Sequence, residues 1–337
     1  MTKLERLLLD SKPIAFIREK SKHIILPGFE GLPLYDVSLF FFKQVKRVGL
    51  NERAAAISFN FIMAIPAASI FLFTLLPYLP VSKLISTELF RFVRDITPDK
   101  QTRKLIIDFL DDFFNKPKTG LLSIGFVLAV YYSSNAMMGV IRTFDRSLQN
   151  THKNSFFGKR LRAIRLTTIV IVLILGTSLI SLGQGTLFRF VMNAAGINSL
   201  SARFWIRSLR WIVIIALFLY SIGIIYKYAP SVKKRWKLLS PGAFFATFLT
   251  ISVTAVFSIW VQNFSNYNKV YGSIGTLLII MLLISINSLI LLIGFELNVS
   301  ITELKIEAEE RKKLSEDKIA EDKRQKELEN RATAAGS

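Results

Sequence analysis

The chain has 337 residues, 44 Lys plus Arg against 24 Asp plus Glu, and is 51% hydrophobic, with a mean hydropathy of +0.41. Its charged fraction of 20% is below the roughly 25% of soluble domains and is gathered between long uncharged runs, which excludes an ordinary soluble fold. The net charge of +20 does not point to nucleic acid, because the basic residues flank apolar segments rather than covering a folded polar surface. With no cysteine there is no disulfide framework, thiolate metal site or thiol nucleophile.

The first 53 residues hold no uninterrupted apolar core of signal-peptide length, so no cleavable signal is expected. Within them, residues 34–48 alternate apolar and charged faces, with Phe40, Phe41 and Phe42 followed by Lys43, Lys46 and Arg47. This predicts a helix lying on the membrane, drawn to anionic headgroups.

Crossing the hydrocarbon takes roughly 20 helical residues, and six segments meet or approach that length: 54–80, 120–141, 166–188, 211–226, 238–268 and 270–295. Pro66 predicts a kink in the first. Glycines 176, 183 and 185 in the third permit close helix approach. The fourth is short, and Arg207 and Arg210 are expected to snorkel. A tight polar hairpin at 263–268 joins the last two, and Tyr271, Gly272, Ser273 and Gly275 predict a turn leading into the sixth.

Lys and Arg in short loops set orientation. Residues 142–165 hold seven basic side chains and one acid, and 227–237 hold five and none, against four in 189–210 and one in the last hairpin. The first two loops therefore read as cytoplasmic, as do both termini. The 81–119 segment, with eight basic and six acidic residues, falls outside by alternation. It carries two amphipathic helical patterns, Ile85, Leu89, Phe92, Val93 and Ile96, then Leu105, Ile106, Phe109, Leu110 and Phe113, with Asp108, Asp111 and Asp112 off the second stripe. From residue 301 the composition turns polar and helix-forming without a sustained heptad, which predicts a protruding cytoplasmic helix and no coiled coil.

The predicted fold is all-α: a polytopic membrane protein with a cytoplasmic region (1–53) carrying the interfacial helix, six transmembrane helices (54–300), and a charged cytoplasmic tail (301–337).

Polar groups in a bilayer are costly and are the first functional candidates. Asn135, Gly139, Arg142 and Arg146 fall on one helical face of the second span, beside Ser133 and Ser134, where an arginine can meet an anionic headgroup. On the sixth, Asn287, Gly294 and Asn298 share one face, with Ser285 and Glu296 roughly opposite. Glu296 can bind a cation, take up a proton, or pair with basic loops. Ordinary boundary arginines and structural pairing are the competing readings of both sets. Enzyme templates are missing: His23 and His152 stand without neighbouring ligands, no Walker-type loop occurs, and the uncharged spans hold no Asp. No metal, cofactor or catalytic residue is assigned.

Several blocks carry a resemblance: Arg53-Ala54-Ala55-Ala56, Phe71-Leu72-Phe73-Thr74-Leu75-Leu76-Pro77-Tyr78, Gly120-Leu121-Leu122-Ser123, Lys234-Arg235-Trp236, Ser240-Pro241-Gly242, Tyr271-Gly272-Ser273-Ile274-Gly275 and Leu292-Ile293-Gly294-Phe295-Glu296-Leu297-Asn298. Over residues 35–302 the chain resembles the YihY/BrkB family of bacterial inner-membrane proteins, named for a serum-resistance virulence factor and long mislabelled as ribonuclease BN. The resemblance implies a six-helix inner-membrane protein that transports lipids or other amphiphiles; it supplies no catalytic residues, and a metal-dependent ribonuclease would need clustered histidines and carboxylates. The expected function is movement of a lipid or amphiphilic anion through a cavity open to one leaflet. The alternative is a non-transporting scaffold or assembly factor whose tail recruits a cytoplasmic protein. Anionic membrane lipids are the expected partners, and nucleic acid is not.

Overall fold

A computed structural model describes residues 19–78, 86–87, 89–90, 93–94, 100–115, 119–148, 155–182, 200–232, 235–263 and 265–335. These are helical almost throughout, with no strand among the described residues. The helices are α1 (Leu34–Val48), α2 (Leu50–Leu75, followed by a 3-10 turn Leu76–Tyr78), α3 (Lys100–Asn115), α4 (Thr119–Ser147), α5 (Phe156–Leu182), α6 (Leu200–Tyr228), α7 (Pro241–Asn263) and α8 (Ser265–Ala335). Among the described residues five contain stretches long and apolar enough to cross a membrane: α2, α4, α6, α7 and α8. The expected third span occupies α5 as far as Leu182, and its last residues, with Gly183 and Gly185, lie outside the described residues.

Six helices close into a ring in the order α2, α4, α5, α6, α7, α8, with α8 returning to α2. Neighbours run antiparallel. Along α2 and α4, Arg53 meets Ser147, Asn60 lies against Gly139, and Phe71 lies against Gly125, so residues ascend one helix as they descend the other. The main core lies at the end where Arg53, Ser147, Ser231, Ser240 and Glu296 are found. The basic 142–165 and 227–237 loops and the tail adjoin this same end: Arg162 donates to Ser231 Oγ at 2.9 Å, and Trp236 Nε1 to Thr302 Oγ1 at 2.9 Å.

Packing there is aromatic and close. Phe144 of α4 and Phe295 of α8 stack with ring centroids 3.7 Å apart at 4°, Tyr226 of α6 meets both edge-on, and Trp236 packs on Phe295. Edge-on pairs such as those of Tyr226 and Trp236 add about 0.5–1.5 kcal/mol each beyond area burial. The α7–α8 crossing is tighter still. A Cβ on Gly242 would fall 2.0 Å from the Gly294 carbonyl oxygen, and one on Gly294 would fall 2.6 Å from Ala246 Cβ. Small residues let the backbones touch where lipid supplies no hydrophobic drive.

Three expectations change. The sixth span and the tail are one helix: α8 is 71 residues long, about 105 Å at 1.5 Å per residue, and no proline follows Pro241 to interrupt it. For the same reason Tyr271, Gly272, Ser273 and Gly275 are helical rather than a turn, and of the expected 263–268 hairpin the described residues belong to α7, which ends at Asn263, and α8, which starts at Ser265. Finally, α1 does not lie on lipid alone. Val37 is fully buried against Phe29, Ile301, Leu297 and Leu304, while Leu39 and Phe42 are exposed on its other side. Gly49, with φ +63, ends α1 in the left-handed region that favours glycine and turns the chain into α2.

Pro66 sits inside α2, which runs unbroken past it; lacking an N–H, it leaves the Ile62 carbonyl without its usual helical partner. Of the two amphipathic patterns in 81–119, the second is α3, whose Leu110, Ile106 and Ile107 pack with Val93, Leu89 and Phe73. Ile85, Phe92 and Ile96 of the first lie outside the described residues, as do the side chains of Arg207 and Arg210. Beyond Lys305 the described part of the tail is exposed along its length.

Candidate functional site

The polar residues of the closed end fall into three groups. The first centres on Glu296, which is fully buried. Ser147 of α4 donates its hydroxyl to Glu296 Oε1 and accepts from Arg53 Nη1 of α2 at 2.8 Å, so one serine joins a guanidinium to a carboxyl across three helices. Gln44 of α1 is a further, neutral neighbour of the carboxyl. Glu296 Oε2 has no hydrogen-bond partner, and neither has Ser300 Oγ one turn further along α8.

The second group faces the opposite way from α8. Asn298 is buried, accepts from the Gly242 N–H at 2.9 Å and donates to Ser240 Oγ at 2.9 Å. Ser240 in turn accepts from the Ala243 N–H at 3.3 Å. Ser240-Pro241-Gly242 is thus a built helix start: a serine cap, a proline where no N–H is needed, and a glycine where α8 presses closest. Asn287, on the same face, donates Nδ2 to the Leu283 carbonyl at 2.9 Å, and its buried Oδ1 is unpartnered. Tyr226 donates its hydroxyl to the Leu291 carbonyl at 2.7 Å. Both polar faces of α8 therefore meet protein, and Ser285, which shares the Glu296 side, is half-buried.

The third group ties the loops. Asp145 takes the Lys159 ammonium at 2.8 Å, the Ser231 N–H at 2.9 Å and the Ser231 hydroxyl at 3.1 Å. The single acid in the basic 142–165 stretch is thus the acceptor that joins α4, α5 and the α6–α7 loop.

The face of α4 singled out by spacing lies elsewhere. Arg142 and Arg146 are exposed, on the side of α4 opposite the buried Phe144. Asn135 is half-buried and accepts from Arg160 of α5, whose guanidinium also lies 4.8 Å from the Tyr131 ring centroid. Gly139 is buried against Asn60. Arg142 and Arg146 thus point outward, while Asn135 and Gly139 are tied to α5 and α2; none of the four meets the Ser285, Asn287, Glu296 and Asn298 set, and only Arg146 approaches it, beside Arg53. Helical spacing alone missed Arg53, Asp145, Ser147, Arg160 and Ser231. Their signal in the sequence is their rarity: an acid alone among bases, and an arginine at the head of an uncharged run.

Packing loosens away from this end. Leu277, Leu278, Ile280, Met281 and Leu282 of α8 are all exposed. Successive helical residues point about 100° apart, so this is no single lipid-facing stripe. Ile124, Phe126, Val127 and Leu128 of α4 are likewise exposed. Among the described residues no group of three or more His, Cys, Asp or Glu could hold a metal ion.

The family model of virulence factor BrkB matches residues 41–320. The chain belongs to the BrkB family. This member is 27% identical over 248 residues to a protein of Bacillus subtilis described as putative ribonuclease-like protein YfkH, covering 74% of this chain and 88% of that one. It is 25% identical over 280 residues to UPF0761 membrane protein NTHI0384 of Haemophilus influenzae, covering 81% and 97%, and 22% identical over 270 residues to UPF0761 membrane protein MS0032 of Mannheimia succiniciproducens, covering 79% and 89%. No solved structure matches. With its apolar helices, this BrkB-family chain is a membrane-embedded, all-α protein.

Proposed function

We propose that this protein moves a lipid or another amphiphilic anion across the bacterial inner membrane, with both termini and the closed end of the ring facing the cytoplasm. The reading involves no catalytic step. One observation carries it: the six-helix ring is sealed by side-chain packing and hydrogen bonds at one end, while apolar side chains stand exposed around α4 and α8 toward the other. Such asymmetry suits a cavity that admits acyl chains from one leaflet. The outward strip of Arg142 and Arg146 supplies guanidiniums at headgroup depth, where charge-assisted pairing to a phosphate is strong, and the exposed Leu39, Phe42, Lys43 and Lys46 face of α1 suits an anionic surface.

The test is leaflet exchange of a fluorescent anionic phospholipid in reconstituted vesicles. Wild type exchanges it faster than empty vesicles, and Arg142→Ala combined with Arg146→Ala slows exchange about tenfold, the loss of about 1.4 kcal/mol of headgroup pairing. Exchange at the empty-vesicle rate across a range of anionic lipids ends the transport reading. A second reading, a scaffold that recruits a cytoplasmic protein, is favoured by the exposed charged extension of α8 and is the one left standing by that outcome.

A further inference from the structure

Glu296 is the acid that the packing of this molecule leaves half-satisfied. It is fully buried where α1, α2, α4 and α8 meet, its Oε1 holds Ser147, and its Oε2 holds nothing. Ser300, also fully buried and on the same helical face one turn on, brings a second unpartnered oxygen.

The charged groups around the carboxyl come from every packed element. From α2 there is Arg53, which reaches it through Ser147. From α4 there is Arg146, beside Arg53. From α8 there is Glu303, which senses Glu296 and faces Arg47 of α1, and α1 adds the neutral Gln44. No guanidinium contacts the carboxyl directly among these. A buried carboxylate in that position is relieved by neutralisation, and the nearby Arg53 disfavours a metal cation as the neutralising ion.

We propose that Glu296 is a proton-binding site, and that its proton is the coupling ion of the transport cycle; the second half rests on the transport reading above. The proton passes from water at the closed end to Oε2, forming an O–H bond that donates to Ser300 Oγ, with no electron transfer. Loss of the negative charge removes the attraction that holds Arg53 and Ser147, and with them α2 and α4, against α8. Release of the proton restores it.

The experiment needs no transported lipid. Infrared difference spectra of the full chain in phosphatidylcholine vesicles, titrated in pH, are expected to show the carbonyl band of a buried protonated carboxyl that isotope-labelled glutamate shifts, Glu296→Gln removes and Glu303→Gln retains. The labelled wild type reads the band even should Glu296→Gln fail to fold. The chain has no cysteine, so spin labels on Glu52→Cys and Ile306→Cys report the α2–α8 separation alone: longer at low pH than at high pH in wild type, and fixed at the low-pH value throughout in Glu296→Gln. Absence of a titrating glutamate band, or a separation that ignores pH in wild type, overturns the proposal. Lipid exchange enters neither measurement, so failure of the transport reading and failure of the proton site are told apart.

Discussion

Phe144 and Phe295 stack nearly parallel, 3.7 Å between centroids, from two helices far apart in sequence that border the same core. With Tyr226 and Trp236 edge-on to Phe295, they fill the space between α4, α6 and α8. Truncation here opens a cavity that the stiff ring of helices cannot collapse, so Phe295→Ala is expected to destabilise by about 3 kcal/mol. Phe295→Leu should cost about half as much. Thermal unfolding in detergent, followed by circular dichroism, ranks the two against wild type.

Gly242 and Gly294 tolerate nothing larger. A methyl at Gly242 would sit on the Gly294 carbonyl, backbone against backbone, so Gly242→Ala and Gly294→Ala are expected to push α7 from α8 and lower the yield of monodisperse protein. Gly176, where an added Cβ would meet no atom within 4 Å, is the control: Gly176→Ala gains roughly 0.5–1 kcal/mol of helix stability. Gel filtration and unfolding midpoints check the contrast, and equal behaviour of all three would count against the crossing.

Asp145 holds three partners from two other segments. Because Lys159 is partly exposed, at 26% of its side chain, removing the acid falls short of the penalty for a fully buried pair; about 2 kcal/mol is expected for Asp145→Ala. Asp145→Asn keeps an acceptor for the Ser231 N–H and is expected to lose less. Limited proteolysis should show cutting in the α4–α5 and α6–α7 loops rising in the same order.

Asn298 satisfies an N–H at the start of α7 and bonds its serine cap. Asn298→Ala leaves the Gly242 N–H buried without an acceptor, at a cost of about 1–3 kcal/mol. Asn298→Asp retains the acceptor and loses the donor to Ser240. Amide hydrogen exchange over the first turn of α7 is expected to quicken in the alanine variant and stay near wild type in the aspartate variant.

Truncation after Glu310 removes a part of α8 whose described residues are exposed and held by pairs such as Lys312 with Glu316 at 3.8 Å. Exposed pairs of this kind are worth about 0.3–0.5 kcal/mol. The unfolding midpoint of the truncated chain is therefore expected to match the full chain within error, and a clear fall would mean that the extension folds back on the body.

Hydropathy makes the helices of the ring legible, because a bilayer imposes length and apolarity on each of them independently. It misjudges where one of them stops. The change from Phe295 to the charged residues after Lys305 marks a change of solvent, and with no proline or other breaker the backbone carries on through it. Spacing likewise puts Glu296 and Asn298 on opposite sides of α8, where they are, since that is a property of one helix. It cannot name Ser147 and Arg53 as the partners of Glu296, because those contacts join segments 149 and 94 residues apart in sequence and depend on which helices neighbour one another. The strip from Asn135 to Arg146 is a unit as geometry, but periodicity is silent on whether a face turns in or out; the aromatic fill on the far side of α4 turns Arg142 and Arg146 out, while Gly139 stays buried against α2.

Under the proposed protonation cycle, an uninterrupted α8 would act as a lever pivoting near Glu296, with an arm from there to Ala335 of about 58 Å at 1.5 Å per residue. A tilt of about 5° at the fulcrum swings the far tip by about 5 Å, enough to be felt by anything that grips it from outside.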